Sequence, residues 1–252
     1  MEAALLGCFM FVACVVAAAF EYPHSTLHLA IPDGGTRRAW VACAMGATAA
    51  ALIYSPWGQR SGAHFNPAVT LVFWRLRKVG NGDAAGYAVA QFAGGAGGVA
   101  LAKALLGADV MGHPSVHYAV TAPGPAGVGV AFAVEIAMAF ALMATVLRIS
   151  SSPRTNRYTG GVVAVLVAVF VEVAGPVSGM SLNPARSAAS ALCAGDFGAL
   201  WIYFLAPPAG MLLAAELYVF GRGSGRVPCA KLHHENGQPC PFHCRYGATG
   251  PS

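Results

Sequence analysis

Six apolar segments, each roughly long enough to cross a bilayer, restrict the environments in which this chain can fold. They lie at about residues 3–20, 39–56, 84–107, 127–147, 160–175 and 198–220. A membrane-spanning helix needs about 20 mostly apolar residues. Only 10% of the 252 residues are charged, against about 25% in soluble domains. The sequence therefore predicts an all-α membrane protein with six transmembrane helices.

A ten-residue segment occurs twice, once in each half of the chain. Residues 61–70 read SGAHFNPAVT and residues 178–187 read SGMSLNPARS. Each copy follows the second apolar segment of its half. Because three spans is an odd number, the second half must enter the membrane from the opposite face, which gives an inverted repeat. We predict repeat one at about 1–107 and repeat two at about 127–220 within one domain, 1–220, followed by a tail, 221–252.

The Asn-Pro-Ala box in each copy predicts the start of a helix. Proline is favoured in the first helical turn, and asparagine is a preferred residue just before it. The boxes are Asn66-Pro67-Ala68 and Asn183-Pro184-Ala185, and only two or three apolar turns follow each one. Both therefore start re-entrant half-helices that are too short to span. The residues before each box must turn their carbonyl groups to water or protein rather than lipid.

Two facing half-helices predict a water-filled path near the middle of the membrane. Their positive dipole ends would meet there, together with the donor amides of Asn66 and Asn183. Water or another uncharged molecule could pass, whereas cations and protons would be repelled. The sequence predicts a passive channel and not an enzyme. An ion-coupled secondary transporter also uses inverted repeats and broken helices, and a membrane metalloenzyme would need a general base near the tail.

The boxes, the six segments and the paired Glu2 and Glu135 resemble the aquaporin or major intrinsic protein family over about residues 2–220. The resemblance implies a homotetramer with one pore per subunit and a narrow extracellular selectivity filter. It implies that Arg186 binds the solute and repels cations, as arginine does in aquaporin-type pores generally. It also implies that Glu2 and Glu135 accept hydrogen bonds from the re-entrant loops, although proton relay is the alternative for buried carboxylates.

The remaining filter positions implied by the resemblance are Gly46, Val171 and Met180, counted without gaps from the boxes. A shift of one residue in span two would replace Gly46 with Met45. These positions lack the aromatic residue and the histidine typical of water-selective members. Residues 174–179 are similar to the nodulin-26-like branch and related bacterial channels, which implies water with glycerol, urea or metalloid acids. A solute-dedicated facilitator with little water flux is the alternative, although Ser187 and Ala191 differ from glycerol facilitators.

Two further residues near the predicted pore have open roles. We predict that His64, two residues before the first box, lines the cytoplasmic half of the pore with its ring or its carbonyl facing water. A pH gate is the alternative, since histidine titrates near neutrality. Glu172 follows the filter position Val171 and either faces the vestibule or pairs with a basic group near the outer surface.

Lysine and arginine are concentrated after spans two and four and in the tail. By the positive-inside rule both termini are cytoplasmic, and the protein lies in the cell membrane, the inner one in a bacterium. The net charge of +5 therefore reflects topology, and we predict lipid but no nucleic acid as a partner. The very short segment before span one predicts that a few residues precede Met1.

The tail contains six candidate metal ligands: Cys229, His233, His234, Cys240, His243 and Cys244. Thiolate and imidazole groups bind zinc and other transition metals. Their spacing matches no common zinc module, so an unstructured, reduced tail is the simpler expectation and a metal such as zinc is the alternative. No other cofactor is predicted.

Overall fold

The computed structural model describes residues 1–223, 227–242 and 244, and these residues contain eleven α-helices. The helices are α1 (Glu2–Glu21), α2 (Thr26–Ala30), α3 (Gly34–Tyr54), α4 (Pro56–Ser61), α5 (Pro67–Arg75), α6 (Asn81–Leu106), α7 (Ala108–Met111), α8 (Val128–Ser150), α9 (Thr159–Ser178), α10 (Pro184–Ala194) and α11 (Leu200–Arg222). Single 3₁₀ turns lie at His117–Ala119 and Asn156–Tyr158. These described residues form no β-strand, which confirms the predicted all-α class.

Six of the described helices have membrane length: α1, α3, α6, α8, α9 and α11. By length and composition, five of them are apolar enough to cross a membrane. The sixth, α3, has 21 residues but contains Arg37 and Arg38 near its start. The outer surface exposes large apolar side chains such as Val89, Leu105 and Val173, each more than 60% exposed. Lipid would cover such a surface, so this is a multi-pass membrane protein.

The half-helices α5 and α10 start at the two boxes and have 9 and 11 residues. Asn66 caps α5, because its Oδ1 accepts a hydrogen bond from the Ala68 N–H at 2.9 Å. Asn183 caps α10 by accepting from the Ala185 N–H at 3.0 Å. At 1.5 Å per residue each helix is about 14–17 Å long, roughly half of the hydrocarbon core. The predicted re-entrant half-helices are confirmed.

The two halves of the chain interlock. In each half the first long helix packs against the third, α1 on α6 and α8 on α11. Each half-helix packs against the other half, α5 on α11 and α10 on α6. Helices α3 and α9 run antiparallel, since Arg38 meets Glu172 near one end and Tyr54 lies against Gly160 at the other. The fold is therefore the predicted inverted repeat, with its core between the halves.

Glycines let α1 and α6 approach until their backbones touch. A Cβ atom on Gly98 would lie 2.1 Å from the carbonyl oxygen of Gly7, and one on Gly94 would lie 2.1 Å from that of Ala3. Gly97 differs, because a Cβ atom there would have nothing within 4 Å. Small residues allow such close contact between helices in membranes, where dispersion and not the hydrophobic effect favours packing.

We expect Gly98→Ala to lower the thermal stability of the purified protein, because the added methyl group forces α1 and α6 apart. Overpacking of this kind costs about 1–3 kcal/mol. Gly97→Ala is the matched control, and its melting temperature should stay close to that of the unaltered protein. Thermal unfolding in detergent, followed by size-exclusion chromatography, measures both variants. Equal melting temperatures would contradict the packing described above.

The expectation of an unstructured tail is wrong for the described part of the tail. Val227 is fully buried and Leu232 is 5% exposed. The Leu232 N–H donates a hydrogen bond to the carbonyl oxygen of Gly62 at 3.1 Å. The Phe242 ring stacks on the His64 ring with 5.4 Å between centroids. The tail therefore folds back onto the loop before the first box, and its apolar side chains are buried against that loop.

Candidate functional site

The two Asn-Pro-Ala boxes are hydrogen-bonded to each other at the centre of the molecule. Asn66 Nδ2 donates to the carbonyl oxygen of Leu182 at 2.7 Å. Asn183 Nδ2 donates to the carbonyl oxygen of Phe65 at 2.8 Å. Each amide nitrogen carries two N–H groups, and both asparagines line the central cavity. One N–H of each asparagine is thus used to join the boxes, and the second is left for a molecule in the cavity.

The loops before the boxes, residues 61–66 and 178–183, have matching backbones. Left-handed conformations occur at equivalent positions: Gly62, Ala63 and Phe65 in the first loop and Gly179, Met180 and Leu182 in the second. A positive φ is unfavourable for residues other than glycine and persists only where the surroundings fix it. Here it brings the carbonyl groups of Phe65 and Leu182 to the opposite asparagines.

A buried carboxylate fixes each loop. Glu2 is 4% exposed and Glu135 is fully buried. The donors to Glu2 are Ser61 Oγ at 2.6 Å, His64 N at 3.2 Å, Phe65 N at 2.6 Å and Gln91 Nε2 at 2.7 Å. The donors to Glu135 are Ser178 Oγ, Ser181 N and Leu182 N, each at 2.8 Å. The loop hydrogen bonds that the resemblance implied are present in both halves.

A cavity of about 240 Å³ lies beside the joined boxes and is lined mainly by α1, α3, α8, α9 and the two loops. The lining residues recur every four positions: Val41, Met45, Ala49 and Ile53 on α3, and Val163, Val167, Val171 and Gly175 on α9. Such spacing marks one face of a helix. Twelve residues of helix cover about 18 Å. The wall is therefore an elongated, mostly apolar surface with its polar groups in the loops and at Arg186.

Arg186, Val171 and Met180 all lie on the wall of this cavity. The Arg186 Nη1 donates to the carbonyl oxygen of Ala119 at 3.0 Å, and Ala119 also lines the cavity. Guanidinium carries five N–H donors, so this hydrogen bond leaves others for a passing molecule. The contribution of Ala119 had no signal in the sequence, because a backbone carbonyl is independent of residue type.

The prediction of Gly46 as a lining residue is wrong. A Cβ atom on Gly46 would lie 2.4 Å from the carbonyl oxygen of Ala164, so Gly46 faces α9 in a tight helix contact. Met45 lines the cavity instead, as the alternative register proposed. The prediction counted residues backward from the first box, and that interval crosses the break at Ser55-Pro56 between α3 and α4. Such a break removes the helical periodicity that would fix the rotation of α3. The four-residue spacing of Met45, Ala49 and Ile53 within α3 could have identified the face of the helix that lines the cavity.

The His64 ring faces protein, so the prediction that it faces water is wrong for the ring. It lies between Phe73 and Phe242, with centroid distances of 5.2 and 5.4 Å. Its Nδ1 is 3.1 Å from Thr70 Oγ1 and its Nε2 is 2.9 Å from the carbonyl oxygen of Ala230. His64 still belongs to the cavity wall, and its ring connects that wall to the tail.

Four of the six candidate metal ligands converge: Cys229, His234, Cys240 and Cys244. His233 does not join them, because its ring packs edge-on against Tyr54 at 5.5 Å. His243 lies outside the described residues.

Glu172 pairs with a basic group near the start of α3, which is one of its two predicted roles. Its Oε1 lies 3.3 Å from Arg38 Nε, and both side chains are more than one-third exposed. An exposed pair of this kind stabilises a fold by about 0–1 kcal/mol.

Half-helices from inverted halves that meet beside an elongated cavity define a membrane channel. Residues 1–218 match the family model described as major intrinsic protein. The chain therefore belongs to the major intrinsic protein family, which confirms the predicted resemblance.

Three named relatives are similar to this chain over more than 60% of its length. It is 37% identical to glycerol uptake facilitator protein-like 6 of Lactiplantibacillus plantarum, with 63% of this chain and 74% of the relative aligned. It is 37% identical to Aquaporin NIP1-3 of Oryza sativa, with 66% and 56% aligned, and 33% identical to Nodulin-26 of Glycine max, with 71% and 64% aligned. The matched part thus spans less than two thirds of these two plant proteins.

The crystal structure of the aquaglyceroporin from Plasmodium falciparum superimposes with a TM-score of 0.69 at 18% identity, covering 86% of this chain and 92% of that one. This similarity confirms the fold.

Proposed function

We propose that this protein is a passive channel that conducts water and small uncharged solutes and excludes ions and protons. The observation that carries the proposal is the pair of reciprocal hydrogen bonds between Asn66 and Asn183 and the opposite loops. They hold two helix N-termini against one cavity and leave amide donors for a molecule that passes. A neutral molecule can replace its hydrogen bonds to water with these donors.

Ion exclusion follows from the charges around the cavity. Each helix N-terminus carries the equivalent of about half a positive charge, and Arg186 adds a full one. Two unit charges 4 Å apart repel by about 4 kcal/mol at an effective dielectric constant of 20. A cation or hydronium ion at this position is therefore strongly disfavoured, whereas an uncharged molecule is not.

The wall near Arg186 favours solutes larger than water. Met45, Val171 and Met180 present aliphatic or thioether surface on the cavity that Arg186 also lines. A polyol such as glycerol has a hydrocarbon backbone that suits this surface and hydroxyl groups that suit the guanidinium. Relatives named as a glycerol uptake facilitator and as nodulin-26-like aquaporins support this assignment. Urea and metalloid acids belong to the same class of small uncharged solutes.

Swelling of proteoliposomes in glycerol or urea, compared with osmotic shrinkage in sucrose, tests the solute assignment. We expect solute entry well above that of protein-free vesicles, without saturation at low concentration and without dependence on sodium or proton gradients. Saturation or ion coupling would instead support the secondary transporter. Water flux with no solute entry would contradict the broader assignment. Solute entry with little water flux would indicate the dedicated facilitator.

We expect Met45→Phe to reduce glycerol entry about tenfold more than water flow, equivalent to about 1.4 kcal/mol of additional barrier. The larger, rigid ring narrows the cavity at the face of α3 that Val41 and Met45 share. Ala47→Phe is the matched control, since Ala47 lies on the exposed face of the same helix. An equal loss in both variants, or none in either, would contradict the assigned register of α3.

We also propose that the channel is a homotetramer in the cell membrane, the inner membrane in a bacterium, with both termini in the cytoplasm. The concentration of basic residues after spans two and four and in the tail supports this orientation. Family membership supports the oligomer and a channel in place of an enzyme. Native mass spectrometry would measure the subunit number, and labelling of cysteines introduced near each terminus in intact cells would measure the orientation.

A further inference from the structure

The folded-back tail brings four metal-ligating side chains to one point. Cys229, His234, Cys240 and Cys244 each offer one ligand atom, and these atoms all lie within 4.8 Å of one another. The Sγ atoms of Cys229 and Cys240 are 3.3 Å apart, and His234 Nε2 is 3.1 Å from Cys244 Sγ. In a tetrahedral zinc site with Zn–S bonds of about 2.3 Å, two sulfur ligands are about 3.8 Å apart. Small movements would therefore place all four atoms around one ion.

We propose that these four residues bind one transition-metal ion, with Zn²⁺ the best match, and that this ion clamps the tail over one mouth of the channel. Three thiols and one imidazole make a Cys₃His set, which is typical of structural zinc sites. Thiolates also select zinc over calcium or magnesium. Four protein ligands complete the tetrahedral coordination of the ion. The ion would therefore stabilise the folded tail and leave no coordination position open for a substrate.

The charge of the neighbouring lysine fits a bound ion. Lys231 is 1% exposed, and its ammonium donates to Asn236 Oδ1 and to the carbonyl oxygen of Gln238, both at 3.1 Å. Both partners are neutral, and a buried charge is costly unless an opposite charge lies nearby. Zn²⁺ with three thiolates carries a net charge of −1, which would balance this ammonium. The backbone N–H of Lys231 also donates to Cys229 Sγ at 3.4 Å, and a metal-bound thiolate would accept this hydrogen bond more strongly than a thiol.

The segment between the first two ligands is the part of the tail that touches the proposed pore. Leu232 lines the central cavity, and its N–H binds the carbonyl oxygen of Gly62. The carbonyl group of Ala230 binds the His64 ring. Both residues lie between Cys229 and His234, so an ion held by these two ligands would fix the segment against the first loop. This clamping effect on flux rests on the proposed channel function, whereas the metal site does not.

Metal content tests the site directly. The full-length protein, purified in detergent under reducing conditions and incubated with Zn²⁺, should retain about one ion per chain by elemental analysis, as expected for one four-ligand structural site. Co²⁺ in its place should show the visible absorption of a tetrahedral cobalt thiolate. Cys240→Ser and Cys244→Ser should abolish this absorption. Cys8→Ser, at an exposed position on α1, should retain it.

Two results would overturn the site, and a third would overturn the choice of ligands. One is a full-length protein that retains no Zn²⁺ after gel filtration. The other is a Cys229–Cys240 disulfide, found by mass spectrometry in protein that was prepared without oxidant, because the two thiols would then be unavailable as ligands. Metal binding that is equal in the Cys244→Ser variant would also contradict the assigned ligands.

Flux measurements test the clamp. Removal of the ion with a membrane-permeant chelator should raise water permeability by about tenfold, and Cys244→Ser should show the high value with or without chelator. An unchanged permeability in a channel that both binds Zn²⁺ and conducts water would overturn the clamp alone. Zinc binding in a protein that conducts nothing, with or without chelator, would overturn the proposed function and leave the metal site standing.

Discussion

Replacement of Glu135 by alanine should abolish water flux and strongly destabilise the protein. The carboxylate accepts hydrogen bonds from Ser178 Oγ and from the backbone N–H groups of Ser181 and Leu182. Each buried donor left without an acceptor costs about 1–3 kcal/mol, and lipid cannot replace the acceptor. The second loop would then lose the conformation that presents the Leu182 carbonyl to Asn66. Thermal unfolding in detergent and osmotic shrinkage of vesicles measure the two effects.

Glu172→Gln is the matched control for Glu135→Ala. Glu172 also lies in the second half, but it is partly exposed and pairs only with Arg38 among the described residues. Its replacement should change the free energy of unfolding by about 1 kcal/mol or less and should leave water flux unchanged. If Glu135→Ala behaved like this control, the carboxylate would not support the loop. A Glu135→Gln variant should be intermediate, because its amide retains one acceptor oxygen.

The second large effect concerns Arg186. Arg186→Val should allow protons and small cations to leak through the channel, because it removes a full positive charge from the cavity wall. The repulsion between the guanidinium and a cation 4 Å away is about 4 kcal/mol at an effective dielectric constant of 20, and the variant loses it. The dipole ends of α5 and α10 remain, so the barrier should fall only in part. A pH-sensitive dye inside proteoliposomes measures the proton flux.

The matched control for Arg186→Val is Arg38→Gln. Arg38 is partly exposed near the start of α3, it is not a lining residue of the cavity, and Glu172 offsets its charge. Its loss should therefore leave proton flux at the original level. Equal proton flux in the Arg186→Val variant and the unaltered protein would show that the half-helices alone exclude ions. Arg186 would then have no part in the proposed mechanism of ion exclusion.

The central part of the fold could be predicted because its determinants are local in sequence. Asparagine before proline caps a helix through its own Oδ1, as Asn66 and Asn183 do. The duplicated ten-residue segment predicted the inverted repeat, since an odd number of spans leaves no other arrangement. Glu2 and Glu135 were assigned from the family resemblance, and their hydrogen bonds match that assignment.

Other features depend on contacts between segments distant in sequence. The orientation of Gly46 depends on how α3 packs against Ala164 of α9, and counting residues along the chain does not include that contact. The His64 ring turns to the carbonyl group of Ala230, 166 residues further along the chain. The tail packs against the first loop, a contact that its own composition does not show, so composition alone favoured an unstructured segment.

Osmotic water permeability, recorded together with internal pH in the same proteoliposomes, tests the proposed channel most directly. The full-length protein would be compared, with and without chelator, to protein-free vesicles of the same lipid. The structure predicts that chelated samples shrink much faster than protein-free vesicles while an imposed pH gradient decays no faster. Shrinkage equal to that of protein-free vesicles in both samples, or rapid loss of the pH gradient, would contradict a channel that conducts water and excludes protons.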